Sequence, residues 1–221
     1  MVFVSSEPPT ARQESQSPVG YRGKRILDLS IILLSLPIIV PLLAIIYLCI
    51  SVTGGNALYR QTRIGRNGQP FEILKFRTMH ANSENLLNDF LSKHPEKAEQ
   101  WAAFRKIDND PRVTKLGRVL RALSLDELPQ VINVVTGDMS LVGHRPFVPN
   151  EKRDYFDNGK SMAYLQLRPG LTGFSQINGR HRDTLEQRIA WNEKYASECS
   201  FLLDLKIIFS TFAVIVRKTG Q

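Results

Sequence analysis

The run Ser124-Leu125-Asp126-Glu127-Leu128-Pro129-Gln130 places two adjacent carboxylates just after a stripe of cations, Lys115, Arg118 and Arg121. Carboxylates in such a position can hold a divalent cation or attack phosphorus, and guanidinium groups beside them can hold phosphate oxygens in either case. The chemistry indicated is chemistry on a phosphate. A structural role competes with it. Ser124 followed three residues later by Glu127 fits a capping box, in which hydroxyl and carboxylate satisfy backbone N–H groups at a helix start. Pro129 disturbs a helix begun at Leu125, whereas one capped by Glu127 or Leu128 accommodates it. Either register leaves both carboxylates near a positive helix end, which favours the ionised Asp126 that a nucleophile requires. Cap and catalyst are compatible, and this run alone favours the cap.

The chain that carries these carboxylates is organised around a membrane segment. No residue from Leu29 to Val52 is charged, and about two dozen such residues can span a bilayer. The stretch is too long for a removable signal peptide and lacks a clear small-residue cleavage site, so it reads as an anchor. Arg22, Lys24 and Arg25 precede it and Arg60, Arg63 and Arg66 follow it, which marks both ends as cytoplasmic by the positive-inside rule. Pro37 and Pro41, in its middle, each remove a helical hydrogen bond and permit a bend. The expectation is a re-entrant helix-break-helix hairpin over 21–53, with a kinked single span as the alternative. Residues 1–20, rich in Ser, Pro, Glu and Gln, read as a disordered cytoplasmic tail, and 54–221 as a cytoplasmic, membrane-associated catalytic domain. A formal charge of +8 and a pI near 9.7 suit anionic headgroups or phosphorylated substrates. Nucleic acid would suit the same charge, but no zinc-ligand spacing or nucleic-acid motif accompanies it. Cys49 and Cys199 offer no disulfide framework and fit a reducing compartment.

After the membrane segment, Asn56 to Ile64 and Gln69 to Met79 read as two strands turned at Asn67-Gly68, a strong hairpin signal. Period-two alternation puts Leu74 and Phe76 on one face and Lys75 and Arg77 on the other. That cationic pair is either a phosphate contact or a charge-blunted strand edge. Short amphipathic helices are expected over Asn85 to Leu91 and Glu96 to Phe104, separated at His94-Pro95. Lys115 to Leu123 opposes a basic face to Leu116, Val119, Leu120 and Leu123, as an interfacial helix or the wall of an anion site would, and brings Arg121 towards Asp126. Two Gly/Pro-containing loops follow, Gly137 to Pro146 around Arg145, and Arg168 to Gly173 continuing through Gln176 to Arg180. Both could cradle phosphates or merely turn. Thr184 to Ala196 reads as a helix with Thr184 and Gln187 as its capping box. Phe201 to Val216, interrupted by Asp204 and Lys206, reads as a core or interfacial helix. The fold class expected is α+β, mainly helical, with a small β-hairpin and amphipathic interfacial helices. The histidines show no metal-ligand spacing, and no Walker loop, dinucleotide fingerprint or Gly-x-Ser-x-Gly elbow occurs.

Taken together these segments closely resemble the bacterial sugar transferase family of monotopic phosphoglycosyl transferases, which initiate exopolysaccharide, capsule and glycoprotein glycan assembly. The resemblance runs from Lys24 to Val216. It is carried by Lys24-Arg25 with Asp28, Pro41, Lys75-Phe76-Arg77-Thr78-Met79, Asp110-Pro111-Arg112, Ser124 to Gln130, Gly137 to Pro146, and Arg168 to Gly173. It is strongest to the small members that start succinoglycan-like polysaccharides. The resemblance implies transfer of sugar 1-phosphate from a UDP-sugar, with galactose or glucose expected, to undecaprenyl phosphate at the cytoplasmic face of the bacterial inner membrane, with release of UMP. It implies Asp126 as the nucleophile that forms a phosphosugar-aspartyl enzyme, and Glu127, with Asp126 near the same ion, as the ligand of Mg2+. Arg121, Arg145, Lys75 and Arg77 become the candidate phosphate contacts, with Gln130 and Arg168 added as substrate-binding candidates. Membrane lipids and downstream glycosyltransferases are the expected partners, and an exposed apolar C-terminal face would permit a homodimer.

The chain departs from the family pattern at three positions. His144 stands where Pro is usual before Arg145, Val40 precedes Pro41 where a hydroxyl residue occurs elsewhere, and Asn192 replaces a frequent Asp. None of these touches Asp126 or Glu127. A catalytically silent membrane scaffold with the same fold is the alternative function, and the intact carboxylate pair speaks against it.

Overall fold

The computed structural model describes residues 20–104, 107, 110–149, 163–178 and 185–218. The tail expected over 1–20 therefore lies outside the described residues apart from its last position, as do Arg180 and Thr184. The described residues are mainly helical with a small β-hairpin, as expected, and carry a second small sheet that was not expected.

Helix α1 (Lys24–Ser51) carries Pro37 and Pro41 in its interior and is long and apolar enough to cross a membrane. The break expected at the prolines does not divide it. Each proline removes one N–H donor, yet the helical path continues through both within a long Ile/Leu run. Asp28, Ile32, Ile39, Leu43, Ile46 and Ile50 fall on a single stripe of this helix and pack on the rest of the molecule. The far side leaves Leu33, Leu34, Ile38, Val40, Ile45 and Leu48 exposed. Both ends are tied to the same body. At the start, the Lys24 ammonium lies 2.5 Å from buried Asp204, which also accepts hydrogen bonds from the Tyr195 and Tyr21 hydroxyls at 2.7 and 2.9 Å. Arg25 donates to the carbonyls of Val134 and Val135, and buried Asp28 accepts from Ser140 Oγ at 2.7 Å and from the Leu141 N–H at 3.1 Å. Just past the end of α1, Arg77 donates to the Gly54 carbonyl and the Thr53 hydroxyl.

Strands β1 (Leu58–Ile64) and β2 (Pro70–Phe76) form the expected antiparallel hairpin, in register from Leu58 opposite Phe76 to Ile64 opposite Pro70. Its turn uses Asn67 and Gly68 with φ of 55° and 71°, the left-handed region that Asn and Gly tolerate best. The expected helices follow as α2 (Ser83–Lys93), α3 (Pro95–Phe104) and α4 (Lys115–Ala122). Thr114 caps α4 by accepting from the Gly117 N–H at 2.8 Å. Leu120 is buried and Leu116 packs beside it, but Val119, expected on the greasy face, is exposed.

Helix α5 (Gln130–Thr136) is joined to the hairpin by Asn133. Its buried amide accepts from the Leu74 N–H at 3.0 Å and donates to the Glu72 carbonyl at 2.7 Å, so a side chain serves the free edge of β2 as a further strand would. The two Gly/Pro loops are more ordered than expected. They contain β3 (Ser140–Val142) and β4 (Gly170–Thr172), a parallel pair with Ser140 opposite Gly170 and Val142 opposite Thr172. A Cβ on Gly143 would lie 2.4 Å from the Arg168 carbonyl oxygen and 2.7 Å from the Gly170 nitrogen. Glycine is thus required by this close backbone approach. The short α6 (Phe174–Asn178), α7 (Leu185–Glu198) and α8 (Phe201–Lys218) complete the body. Ile207 of α8 is fully buried while Phe201, Leu202 and Phe209 are exposed, in keeping with the amphipathic helix expected there.

Candidate active site

Asp126 and Glu127 lie in a single 3-10 turn, Leu125–Glu127, packed against α4 and β2. The expected capping box does not form. Ser124 is left-handed, with φ of 56°, and makes no side-chain cap bond, because a capping hydroxyl needs an extended backbone to reach back over the first turn. Glu127 turns instead to Lys75, with 2.6 Å between Nζ and Oε1. Helix α5 begins only at Gln130, with Pro129 in its cap position. The carboxylates therefore occupy a separate turn ahead of the helix, which weakens the dipole argument for Asp126.

The two carboxylates are driven in opposite directions. Burial, then the charge of Glu127, pushes Asp126 above the ordinary carboxylate range, against the pull of Lys75 and Arg121. The expectation that its position favours the ionised form is corrected accordingly. Burial acts on Glu127 in the same sense, but Lys75 outweighs it, with help from Arg145 and Arg63, and holds Glu127 below its usual value. Two carboxyl groups separated in this way can take different roles.

Glu127 opens onto a pocket continuous with solvent, whose polar lining includes Lys75, Arg63, Arg145, Gln130 and Gln176, with Ile73 and Leu171 as apolar walls. The hairpin register explains the cations: Tyr59, Gln61 and Arg63 stand opposite Lys75, Ile73 and Phe71, so Arg63 and Lys75 share one sheet face. Arg145 is carried by the chain leaving β3. The neighbouring His144 is buried, and burial lowers its pKa to about 4 despite the backbone carbonyls of Arg145 and Leu167. Its neutral ring stacks on Phe147 and donates from Nδ1 to the Arg145 carbonyl at 3.1 Å. That contact constrains the backbone at a position where proline is usual.

Of the substrate-binding candidates, Lys75, Gln130 and Arg145 meet at this pocket. Arg121 is exposed, donates from Nε to the Thr78 hydroxyl at 2.9 Å, and acts on Asp126 through its charge. Arg77 and Arg168 are elsewhere. Arg77 is tied to the loop after α1, because the strand face it was expected to share with Lys75 ends at Phe76. Arg168 donates from Nε to the Gly137 carbonyl at 2.6 Å, closing the C-terminal end of α5 alongside Arg25. Val40 lies on the exposed side of α1 and Asn192 is buried in α7. Sequence reasoning missed Arg63 and Gln176. Counting strand register outward from Asn67-Gly68 would have found Arg63, whereas no local spacing pointed to Gln176.

Across residues 19–218 the sequence matches the profile of the family described as bacterial sugar transferase. The chain belongs to that family. Among the relatives of this sugar transferase is an exopolysaccharide production protein, ExoY, of Sinorhizobium fredii, 42% identical over 92% of this chain and 90% of its own length. A UDP-glucose:undecaprenyl-phosphate glucose-1-phosphate transferase of Caulobacter vibrioides is 41% identical over 85% of this chain and 67% of its own. The undecaprenyl-phosphate galactose phosphotransferase of Salmonella typhimurium is 38% identical over 89% of this sugar transferase, which spans 41% of that longer protein.

Proposed function

We propose that this sugar transferase moves hexose 1-phosphate from UDP-galactose or UDP-glucose to undecaprenyl phosphate, releasing UMP and initiating an exopolysaccharide. The observation that carries the reading is the turn at Asp126 and Glu127: its two carboxyl groups are shifted in opposite directions, and Glu127 lines a pocket edged by Lys75, Arg63 and Arg145 with Asp126 next to it in the chain. The names of the galactose and glucose relatives support a hexose donor and a polyprenyl phosphate acceptor.

In this reading a carboxylate oxygen of Asp126 bonds to the phosphorus that bears the sugar. The bond from that phosphorus to the bridging oxygen breaks, and UMP leaves with its electron pair. A phosphate oxygen of undecaprenyl phosphate then bonds to the same phosphorus, and Asp126 departs as a carboxylate. Two displacements let both substrates use one site in turn. Lys75, Arg63 and Arg145 hold phosphate oxygens and compensate the negative charge that gathers on them. Arg121 lowers the cost of ionising Asp126.

Asp126 and Glu127 are the side chains that would hold Mg2+. Among the described residues no larger carboxylate, histidine or cysteine cluster exists, and a two-carboxylate set suits an ion that completes its octahedron with substrate phosphates and water. Bound there, Mg2+ would neutralise diphosphate charge.

In this reading the catalytic body works at the cytoplasmic face of the bacterial inner membrane, with α1 as a re-entrant element that bends at Pro37 and Pro41 without losing its helical path. A straight helix of 28 residues extends about 42 Å, more than the ~30 Å hydrocarbon core, and a crossing would take its ends to opposite faces. Bonds that tie Lys24 and Arg25 at one end, and Thr53 and Gly54 just beyond the other, to the same body support a return to one face.

The test uses the full chain in nanodiscs containing undecaprenyl phosphate, with Mg2+ and a panel of UDP-sugars. UMP release is expected with a hexose donor, and intact-mass analysis without acceptor should find a phosphohexose adduct that Asp126→Asn abolishes. Absence of UMP with every sugar would sink the activity; UMP release without an adduct would sink the two-step mechanism.

A further inference from the structure

The pocket is lined by charged and by neutral side chains. Lys75, Arg63 and Arg145 act on Glu127 through their charge, and the same pocket is lined by the neutral amides of Gln130 and Gln176 and the apolar side chains of Ile73 and Leu171. Gln130 is 2% exposed, and its amide nitrogen is buried with no hydrogen-bond partner among the described residues. A buried donor left unmade is costly and marks a position completed by something else. Gln176 accepts from the Ser175 hydroxyl at 2.8 Å through Oε1, which leaves its amide N–H groups as the donors it offers. The place of that side chain is set by Gly173, where a Cβ would stand 3.1 Å from Oε1.

We infer that Gln130 and Gln176 read the hydroxyl groups of the hexose in this pocket, a conclusion that rests on the function proposed above. Phosphate oxygens only accept hydrogen bonds and are matched by the three cations. A sugar hydroxyl both donates and accepts, as does a carboxamide, and the C–H face of a hexose suits Ile73 and Leu171. Gln130 thereby moves from the general substrate-binding set to sugar recognition, and Gln176 joins it. The fixed point is Glu127, three residues before Gln130 in the same chain segment, so reading the sugar and holding its phosphate are geometrically linked.

The experiment compares wild type, Gln130→Met and Gln176→Ala in nanodiscs. It measures kcat/KM for UDP-glucose, UDP-galactose and their monodeoxy analogues, and calorimetric binding of UDP-hexose and of UDP. Each variant should lower kcat/KM for the preferred hexose on the order of tenfold to a hundredfold, the scale of one unmade buried hydrogen bond. Each should also compress the ratio between preferred hexose and deoxy analogue, and leave UDP binding within twofold of wild type. An unchanged sugar ratio in both variants overturns the inference, as does an equal loss of UDP and UDP-hexose binding, which would assign the amides to the nucleotide diphosphate. Gln176→Ala, at a less buried position, keeps the test decisive if Gln130→Met fails to fold. An inactive wild type that binds no UDP-hexose removes the underlying function, whereas an active wild type with insensitive variants removes only this inference.

Discussion

Replacing Lys75 with methionine keeps an unbranched stem against the hairpin and removes the charge that faces Glu127. The two side chains, 20% and 36% exposed and 2.6 Å apart, lie between an exposed ion pair, worth about 0.2–1 kcal/mol, and a buried one whose breakage costs about 3–5 kcal/mol. Discounted for the solvent reaching Glu127, the expected loss at neutral pH is about 1–2 kcal/mol, or roughly 3–6 °C in Tm for a chain of this size. The pH dependence has a fixed sign. Lys75 helps hold Glu127 below its ordinary value, so the pair's contribution is complete above the unfolded carboxyl pKa and disappears as pH falls through the folded one. Thermal unfolding of wild type and Lys75→Met in the same nanodiscs, from pH 7 down through the carboxylate range, should show two curves converging on acidification. A gap that stays constant over the whole range would refute the electrostatic reasoning and assign the effect to packing of the lysine stem.

Asp126 has the opposite sign. Burial and Glu127 raise its folded pKa, so its ionised form destabilises the fold at neutral pH; Asp126→Asn should raise Tm there, with the gain shrinking below the carboxylate range, and a lowered Tm at neutral pH would contradict this. Asn133→Ala should cost about 2–4 kcal/mol in chemical denaturation, because the Leu74 N–H and Glu72 carbonyl lose their partner. A cost below 0.5 kcal/mol would mean that water replaces the amide. Gly143→Ala should cost about 1–3 kcal/mol from overpacking and depress turnover more than Asn133→Ala does, since the displaced backbone leads directly to Arg145; equal effects of the two on kcat/KM would separate Arg145 placement from the glycine.

Local signals in the sequence account well for the hairpin and for α2, α3 and α4, because Asn67-Gly68, His94-Pro95 and the spacing of Lys115, Arg118 and Arg121 act within a few residues of themselves. The pocket is less legible because its parts converge from distant segments. Arg77 and Lys75 alternate correctly, but β2 ends between them, and a strand's end depends on what its partner offers. Ser124 and Glu127 have capping-box spacing, yet the nearby lysine on β2 provides a stronger partner for Glu127 than a backbone N–H. Strands β3 and β4 have three residues each, too few for alternation to register. Asp204, which interrupts an apolar run in the sequence, is the buried partner of Lys24, a meaning visible only after the two ends of the chain have come together.

The bonds from Asp28 to Ser140 and Leu141 bear on the order of events during synthesis. Asp28 enters the ribosomal tunnel with the first turn of the apolar helix, while Ser140 is made 112 residues later. Until then the carboxylate has water and the charge of Lys24 one turn earlier, without these two hydrogen bonds, and moving it into hydrocarbon is costly. On the membrane placement proposed above, the start of the nascent helix would stay at the surface while the body is still being made. When β3 arrives, it takes over from water and fastens the helix to the finished body, so on that placement closure of the fold and seating on the bilayer would become one step.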